Sequence, residues 1–196
     1  MFNRELRDLA HVHRWGILRK SRQQNVAEHS YFVAMYCIEL VDSLGLRPFV
    51  QADRLIQRAL THDLGEVWTG DIPSPVRRRI KNGLVELEYL KMGEVFPHFF
   101  GLVPEEPLAG KILKVADLLE ACMYLADEEN LGNKSVGHMQ DPNSCFGSNF
   151  VRLQDAYWMV LTPSIGYADQ ENIQQTWERI YQGLEDARGG LSRIIL

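Results

Sequence analysis

A chain of 196 residues, 45% of them hydrophobic, can bury one substantial core. Its formal net charge of −5, with 24% charged residues, excludes a surface-wide basic grip, so no nucleic-acid polymer is expected as a partner and any polyanion must be met by a local cluster. No apolar run approaches the roughly 20 residues of a membrane span, and the opening MFNRELRDLAHVHRWG is too charged for a signal peptide, so a soluble chain with no membrane partner is expected.

Apolar residues recur at helical spacing almost throughout and strand-like alternation is scarce. This predicts an all-α fold, a single domain over residues 1–196 with its core at about 13–130. The cysteines Cys37, Cys122 and Cys145 are far apart and odd in number, suggesting neither a disulfide framework nor a thiolate metal site and fitting a reducing cytoplasm. A first helix is predicted over 3–13, followed by the basic stretch HRWGILRKSR with Arg14, Trp15, Arg19, Lys20 and Arg22. On the second helix, 26–44, His29 falls in register with Val26, Val33 and Tyr36, which turns an imidazole inward. A third helix, 51–66, ends in THDLGE, where Asp63 follows Ala59 by four and His62 adjoins it. The turn GDIPSP, with Gly70 and two prolines, would present Asp71 and Ser74 rigidly. A fourth helix, 74–95, carries the basic run VRRRIK, read as a solvated face. Beyond GLVPEEP, a helix over 105–130 sets Asp117 among Val115, Ala116, Leu118 and Leu119, with Lys114 as its one cationic neighbour on that helix. The polar segment 132–149 is the candidate for a mobile or partner-facing loop, and helices over 148–160 and 169–187 close the chain.

A charged side chain on an apolar helical face is costly unless it is paired or bound to a metal. Singly, an inward His is more often a hydrogen-bonded core residue, and an Asp at a helix end more often a cap. Together, His29, His62, Asp63 and Asp117 offer two neutral nitrogens and two anionic oxygens, a donor set suited to a divalent ion such as Co, Mn, Zn, Fe or Mg. Glu66 lies one turn beyond the His62-Asp63 pair, placed to orient or deprotonate a water.

The order His29, His62-Asp63, Asp117 resembles the signature of the HD-domain metal-dependent phosphohydrolases. The text around it, HRWGILRKSRQQNVAEHS, HDLGEVWTGDIPSPV and LKVADLLEA, is similar to the 5′-deoxynucleotidase (YfbR-like) branch and to related phage dATP triphosphohydrolases, from about His13 to Glu128. The resemblance implies an HD-domain helical bundle with a metal in its core and a deoxyribonucleotide as substrate. It also implies that Glu66 is the catalytic acid or base, that Arg14 and Trp15 contact substrate, and that the turn bearing Asp71 and Ser74 meets the sugar. Arg19 is a further phosphate candidate, because guanidinium forks match phosphate oxygens. A homo-oligomer in the cytoplasm, the host's if the chain is phage-encoded, is implied as well.

Two versions of the chemistry stay open, since both break the bond between the α-phosphorus and O5′. A monophosphatase releases phosphate, and a triphosphohydrolase acting on dATP releases triphosphate. Hydrolysis of a signalling nucleotide and a non-catalytic, nucleotide-sensing module are the remaining readings, and the presence of Glu66 beside a full ligand set weighs against the last.

Overall fold

The computed structural model describes residues 4–95, 107–165 and 170–189. Helix α1 (Val26–Ser43) begins where extended Asn25 accepts the Glu28 N–H through its side chain, and Val26, His29, Val33, Cys37 and Leu40 then recur at three- and four-residue steps on the buried side. A connection with buried Leu44, Leu46 and Val50 leads to α2 (Ala52–Thr61).

The expected helix 51–66 stops early. His62 is the C-cap of α2, and the chain turns through Asp63, Leu64 and Gly65 into the single turn α3 (Glu66–Thr69). Gly65 permits that turn to seat, because a Cβ there would stand 2.8 Å from the Glu88 Cβ. The expected helix 74–95 is likewise two elements, α4 (Ser74–Arg79) and α5 (Lys81–Val95), parted at Ile80, whose ψ of 16° leaves the helical range. A 3-10 helix at Arg4–His11 replaces the first predicted helix. It packs Leu9 against Val26 and Leu64, with Val67, Trp68 and Met92 alongside.

Helix α6 (Pro107–Asn130) is the central element and meets α1, α2 and α7 (Cys145–Gln154) as well as α8 (Gln170–Gly189). Burial runs along most of its length, with Ile112, Val115, Ala116, Cys122, Leu125 and Ala126 all without exposure. Each fully buried apolar side chain of the size of Leu125, Leu153 or Phe146 contributes about 1.5–3 kcal/mol. Helix α7 starts three residues before the expected 148, where the Ser144 hydroxyl accepts the Gly147 N–H, and continues as a π-helical stretch, Asp155–Leu161. In that stretch Tyr157 and Leu161 are buried while Met159 and Val160 face outward.

The polar segment after Gly132 is packed rather than free-standing. A 3-10 turn (Lys134–Val136) buries Val136, Met139 is covered, and Asn133 and Ser135 donate to the Arg19 carbonyl. Gly147 is needed for this closure, because any Cβ there would fall 1.9 Å from the Asp141 carbonyl oxygen. The predicted break at 101–107 and the closing residues 190–196 lie outside the described residues, apart from Pro107, which opens α6. Among the described residues there is no strand, and no helix is long and apolar enough to cross a membrane.

Candidate metal centre and active site

Three helices converge on one small volume. His29 of α1, His62 at the end of α2 and Asp117 of α6 each place a ligand-type atom within 4.8 Å of the others. Asp63 joins them, its Oδ2 lying 3.2 Å from His62 Nε2 and 3.5 Å from His29 Nε2, and Asp117 Oδ1 is also 3.5 Å from His29 Nε2.

The other nitrogen of each ring is committed. His62 Nδ1–H donates to the Ala59 carbonyl at 2.7 Å, and His29 Nδ1 meets Glu120 Oε2 at 2.5 Å. Both Nε2 atoms are buried without a hydrogen-bond partner. Two buried imidazole nitrogens left without hydrogen bonds beside two carboxylates are costly as they stand, and a divalent cation bound there satisfies all four groups. The residues present therefore fit a metal. Asp117 is also joined by Lys114 Nζ to Oδ2 at 2.6 Å, the one cation its own helix offers.

The electrostatics follow from this crowding in the metal-free cluster. Burial alone would lower His62, yet Asp63, Asp117 and the Ala59 carbonyl push it up to about 9. Burial alone would raise Asp63, and the His62 and His29 rings outweigh it, holding Asp63 well below the usual carboxylate range. Asp117 is similarly held low against its burial by His29, Lys114 and His62.

Glu66 opens α3 and is 5% exposed. Burial first, and then the charges of Asp63 and Asp71, push its carboxyl up to about 9, against the opposing pull of Arg14 and Arg77. One oxygen, Oε1, lies 3.4 Å from Arg77 Nη1, while Oε2 is buried with no partner. Arg77 is thus no solvated residue of a basic face. Its other nitrogen reaches Glu88 at 2.5 Å, and Glu88 in turn accepts from Thr69. Arg79 is exposed as expected, and the side chains of Arg78 and Lys81 lie outside the described residues.

Arg14 and Trp15 sit on a loop that leaves the 3-10 helix and closes again through an antiparallel bridge between His13 and Asn25. Arg14 Nη1 lies 3.0 Å from Glu120 Oε2 and also meets His29 Nδ1. Trp15 adopts φ 65°, a left-handed conformation strained for a bulky residue, of the kind found where surrounding contacts over-determine the backbone. Its N–H donates to Asp71 Oδ2 at 2.8 Å, its indole N–H donates to Gln24 at 3.1 Å, and its ring stacks on Tyr124 at 5.4 Å. Asp71, half-buried, therefore ties the GDIPSP turn to the Trp15 loop. Ser74 begins α4, and its side chain lies outside the described residues. Arg19 has an exposed side chain and is held here only by its carbonyl, away from the cluster.

The sequence pattern alone does not mark the acids of α6 behind this loop as site residues. Glu120 is 3% exposed and also accepts from Gln24 Nε2 at 2.5 Å, and Glu128 is 1% exposed and accepts the Ser21 and Arg22 N–H groups at 2.6 and 2.7 Å. The available signal was spacing, since Asp117, Glu120, Tyr124 and Glu128 follow at three- and four-residue steps and share a helix face.

Comparison with known proteins gives a family and a likeness of fold. Residues 1–144 match the 5′-deoxynucleotidase YfbR-like family. A 5′-deoxynucleotidase of Erwinia tasmaniensis is 31% identical over 140 residues, covering 62% of this chain and 70% of that protein. A dATP triphosphohydrolase of Cyanophage S-2L is 32% identical over 117 residues, covering 59% of this chain and 65% of its own length. Among solved structures, the Cyanophage S-2L HD phosphohydrolase bound to dA and one catalytic Zn2+ ion superimposes with a TM-score of 0.69 at 22% identity, over 95% of this chain and 98% of that one, a likeness of fold.

Proposed function

Since the chain belongs to the 5′-deoxynucleotidase YfbR-like family of HD phosphohydrolases, we propose that it hydrolyses the 5′ phosphoester of a 2′-deoxyribonucleoside monophosphate, releasing the deoxynucleoside and phosphate. The observation that carries the reading is the pair of buried, unpartnered Nε2 atoms of His29 and His62 facing Asp63 and Asp117, with the free oxygen of Glu66 one short turn away. His29, His62, Asp63 and Asp117 would hold the divalent ion, which supplies Lewis acidity toward the phosphoryl group when bound.

The chain's own residues account for the rest. Water attacks phosphorus as the P–O5′ bond breaks, and a proton must leave the water and reach O5′. Glu66 Oε2 is the unpaired atom placed for that transfer, and burial tunes its carboxyl toward the range useful for a general acid or base. Arg14 offers the phosphate a buried guanidinium, and Trp15 a flat wall fixed by Tyr124 and Gln24. Asp71 Oδ2 is bound to the Trp15 N–H, so a role in reading the sugar falls to its other oxygen.

A second reading, dATP hydrolysis to deoxyadenosine and triphosphate, is favoured by the 32% identity to the cyanophage enzyme. The cation next to Glu66, Arg77, is already paired to Glu88, which supports the monophosphate version. The three free cysteines support a reducing cytoplasm. Exposed Tyr31, Phe32 and Met35 on α1 support a homo-oligomer, and a single domain is supported by a buried core that α1, α2, α6, α7 and α8 share.

The test is a panel of dNMPs, dNTPs and matching ribonucleotides with the released species identified. Phosphate from dNMPs with a preference for deoxyribose is expected. Triphosphate from dATP would select the second reading, and indifference to the sugar would reject both.

A further inference from the structure

The site already described depends on two separate things being in register: a metal ligand, His29, and the substrate-side loop carrying Arg14 and Trp15. One buried carboxylate touches both. Glu120 Oε2 meets His29 Nδ1 at 2.5 Å and Arg14 Nη1 at 3.0 Å, while Oε1 accepts from Gln24 Nε2 at 2.5 Å. Gln24 uses its own carbonyl oxygen to receive the Trp15 indole N–H. Glu120 is remote in the chain from these partners, 91 residues beyond His29 and 106 beyond Arg14, so the junction exists only in the folded molecule.

We propose that Glu120 is a positioning residue that sets the ring of His29 and the Arg14–Gln24–Trp15 group from one point. Two groups meet His29 Nδ1, Glu120 Oε2, which only accepts, and Arg14 Nη1, which only donates; with the proton on Nδ1 the ring donates to Glu120, Arg14 is held by the same carboxylate oxygen, and the Nε2 lone pair faces Asp63 and Asp117. The opposite tautomer would direct an N–H at the cluster and could not ligate. The same oxygen fixes the guanidinium of Arg14, and the second oxygen fixes Gln24 and, through it, the indole. Each partner is a donor, so no neutral group replaces Glu120 without setting donor against donor or leaving one unpaired. The inference about Arg14 and Trp15 rests on the proposed nucleotide reading; the inference about His29 does not.

The experiment uses the whole chain and zinc ion as the probe. Wild type, Glu120→Gln and Glu120→Asp are stripped of metal, and zinc affinity is measured by competition with a chelator, alongside thermal unfolding of the stripped protein. The expected result is an affinity loss of about 10- to 100-fold in Glu120→Gln, with a smaller loss in Glu120→Asp, which restores the charge at shorter reach. Zinc-loaded wild type should show a low-field proton resonance on His29 Nδ1 that shifts upfield in Glu120→Gln. If zinc affinity is unchanged while both variants merely unfold earlier, the residue is structural and the proposal fails. If the variants do not fold, wild type alone still decides, because a zinc-loaded His29 without a proton on Nδ1 overturns it. For nucleotide, Glu120→Gln is expected to raise KM as well as lower kcat. Should wild type turn over no nucleotide, the zinc and proton readouts stand, and the functional reading alone falls.

Discussion

Helix α6 meets α8 and α7 through apolar packing and meets the N-terminal loop through acids. On one side Met123 lies against Gly183 of α8, and Leu125, Phe146 and Leu153 are fully buried. On the other, Asp117, Glu120 and Glu128 are drawn into contact with His29, Arg14 and the Ser21 and Arg22 amides. The first region gains stability from every atom it buries. The second holds carboxylates away from water, an arrangement that favours stability only so far as each charge is matched, and its return is a set of side chains aimed at one point. Substitutions on the two sides should therefore separate stability from activity.

The largest effect belongs to the acid side. Glu66→Gln should lower turnover by about 10²- to 10⁴-fold with metal saturating and the helical signal unchanged, as read by steady-state kinetics beside circular dichroism. On the apolar side, Phe146→Ala should cost about 3–5 kcal/mol in denaturant unfolding, yet leave kcat per folded molecule near wild type. A large loss of kcat there would break the comparison.

Much of this division is legible in the sequence. The step pattern Val26, His29, Val33 places the imidazole inward, and the His62-Asp63 pair with Asp117 is found in the structure around a common point. What escaped has a common physical origin. Glu120 and Glu128 acquire their meaning from partners roughly 90 to 110 residues away, and local spacing carries no information about those contacts. The end of α2 at Thr61 is set by the turn that brings Gly65 onto Glu88, a tertiary approach rather than a helix-stop signal. The basic run around Arg77 suggests a solvated face, while Glu88 and Glu66 draw Arg77 into ion pairs. The loop after Gly132 is polar in composition, and its order comes from Val136, Met139 and the closely approaching Gly147.

A smaller effect sharpens the picture of the N-terminal loop. Glu128→Gln keeps the shape but removes the charge that receives two backbone N–H groups, and should destabilise by about 1–3 kcal/mol while raising KM for nucleotide. Differential unfolding and a KM-against-kcat split measure the two parts. A last effect is one of pH in metal-free protein. Folded Glu66 keeps its proton up to about 9 where its ordinary value is 4.5, so between these values the folded state binds more protons than the unfolded one and loses stability as pH rises. Glu66→Gln should consequently gain Tm over wild type as pH climbs from 5 to 8, at about 2–4 °C per kcal/mol relieved.

The most direct measurement is hydrolysis of a deoxynucleoside monophosphate by metal-stripped protein, before and after Mn, Co, Zn or Mg is restored, in wild type and in Asp63→Ala. The account predicts phosphate release that is absent without metal, returns with it, and is absent in Asp63→Ala under every condition. Release that survives stripping, or that Asp63→Ala retains with metal, would contradict a catalytic centre built on His29, His62, Asp63 and Asp117.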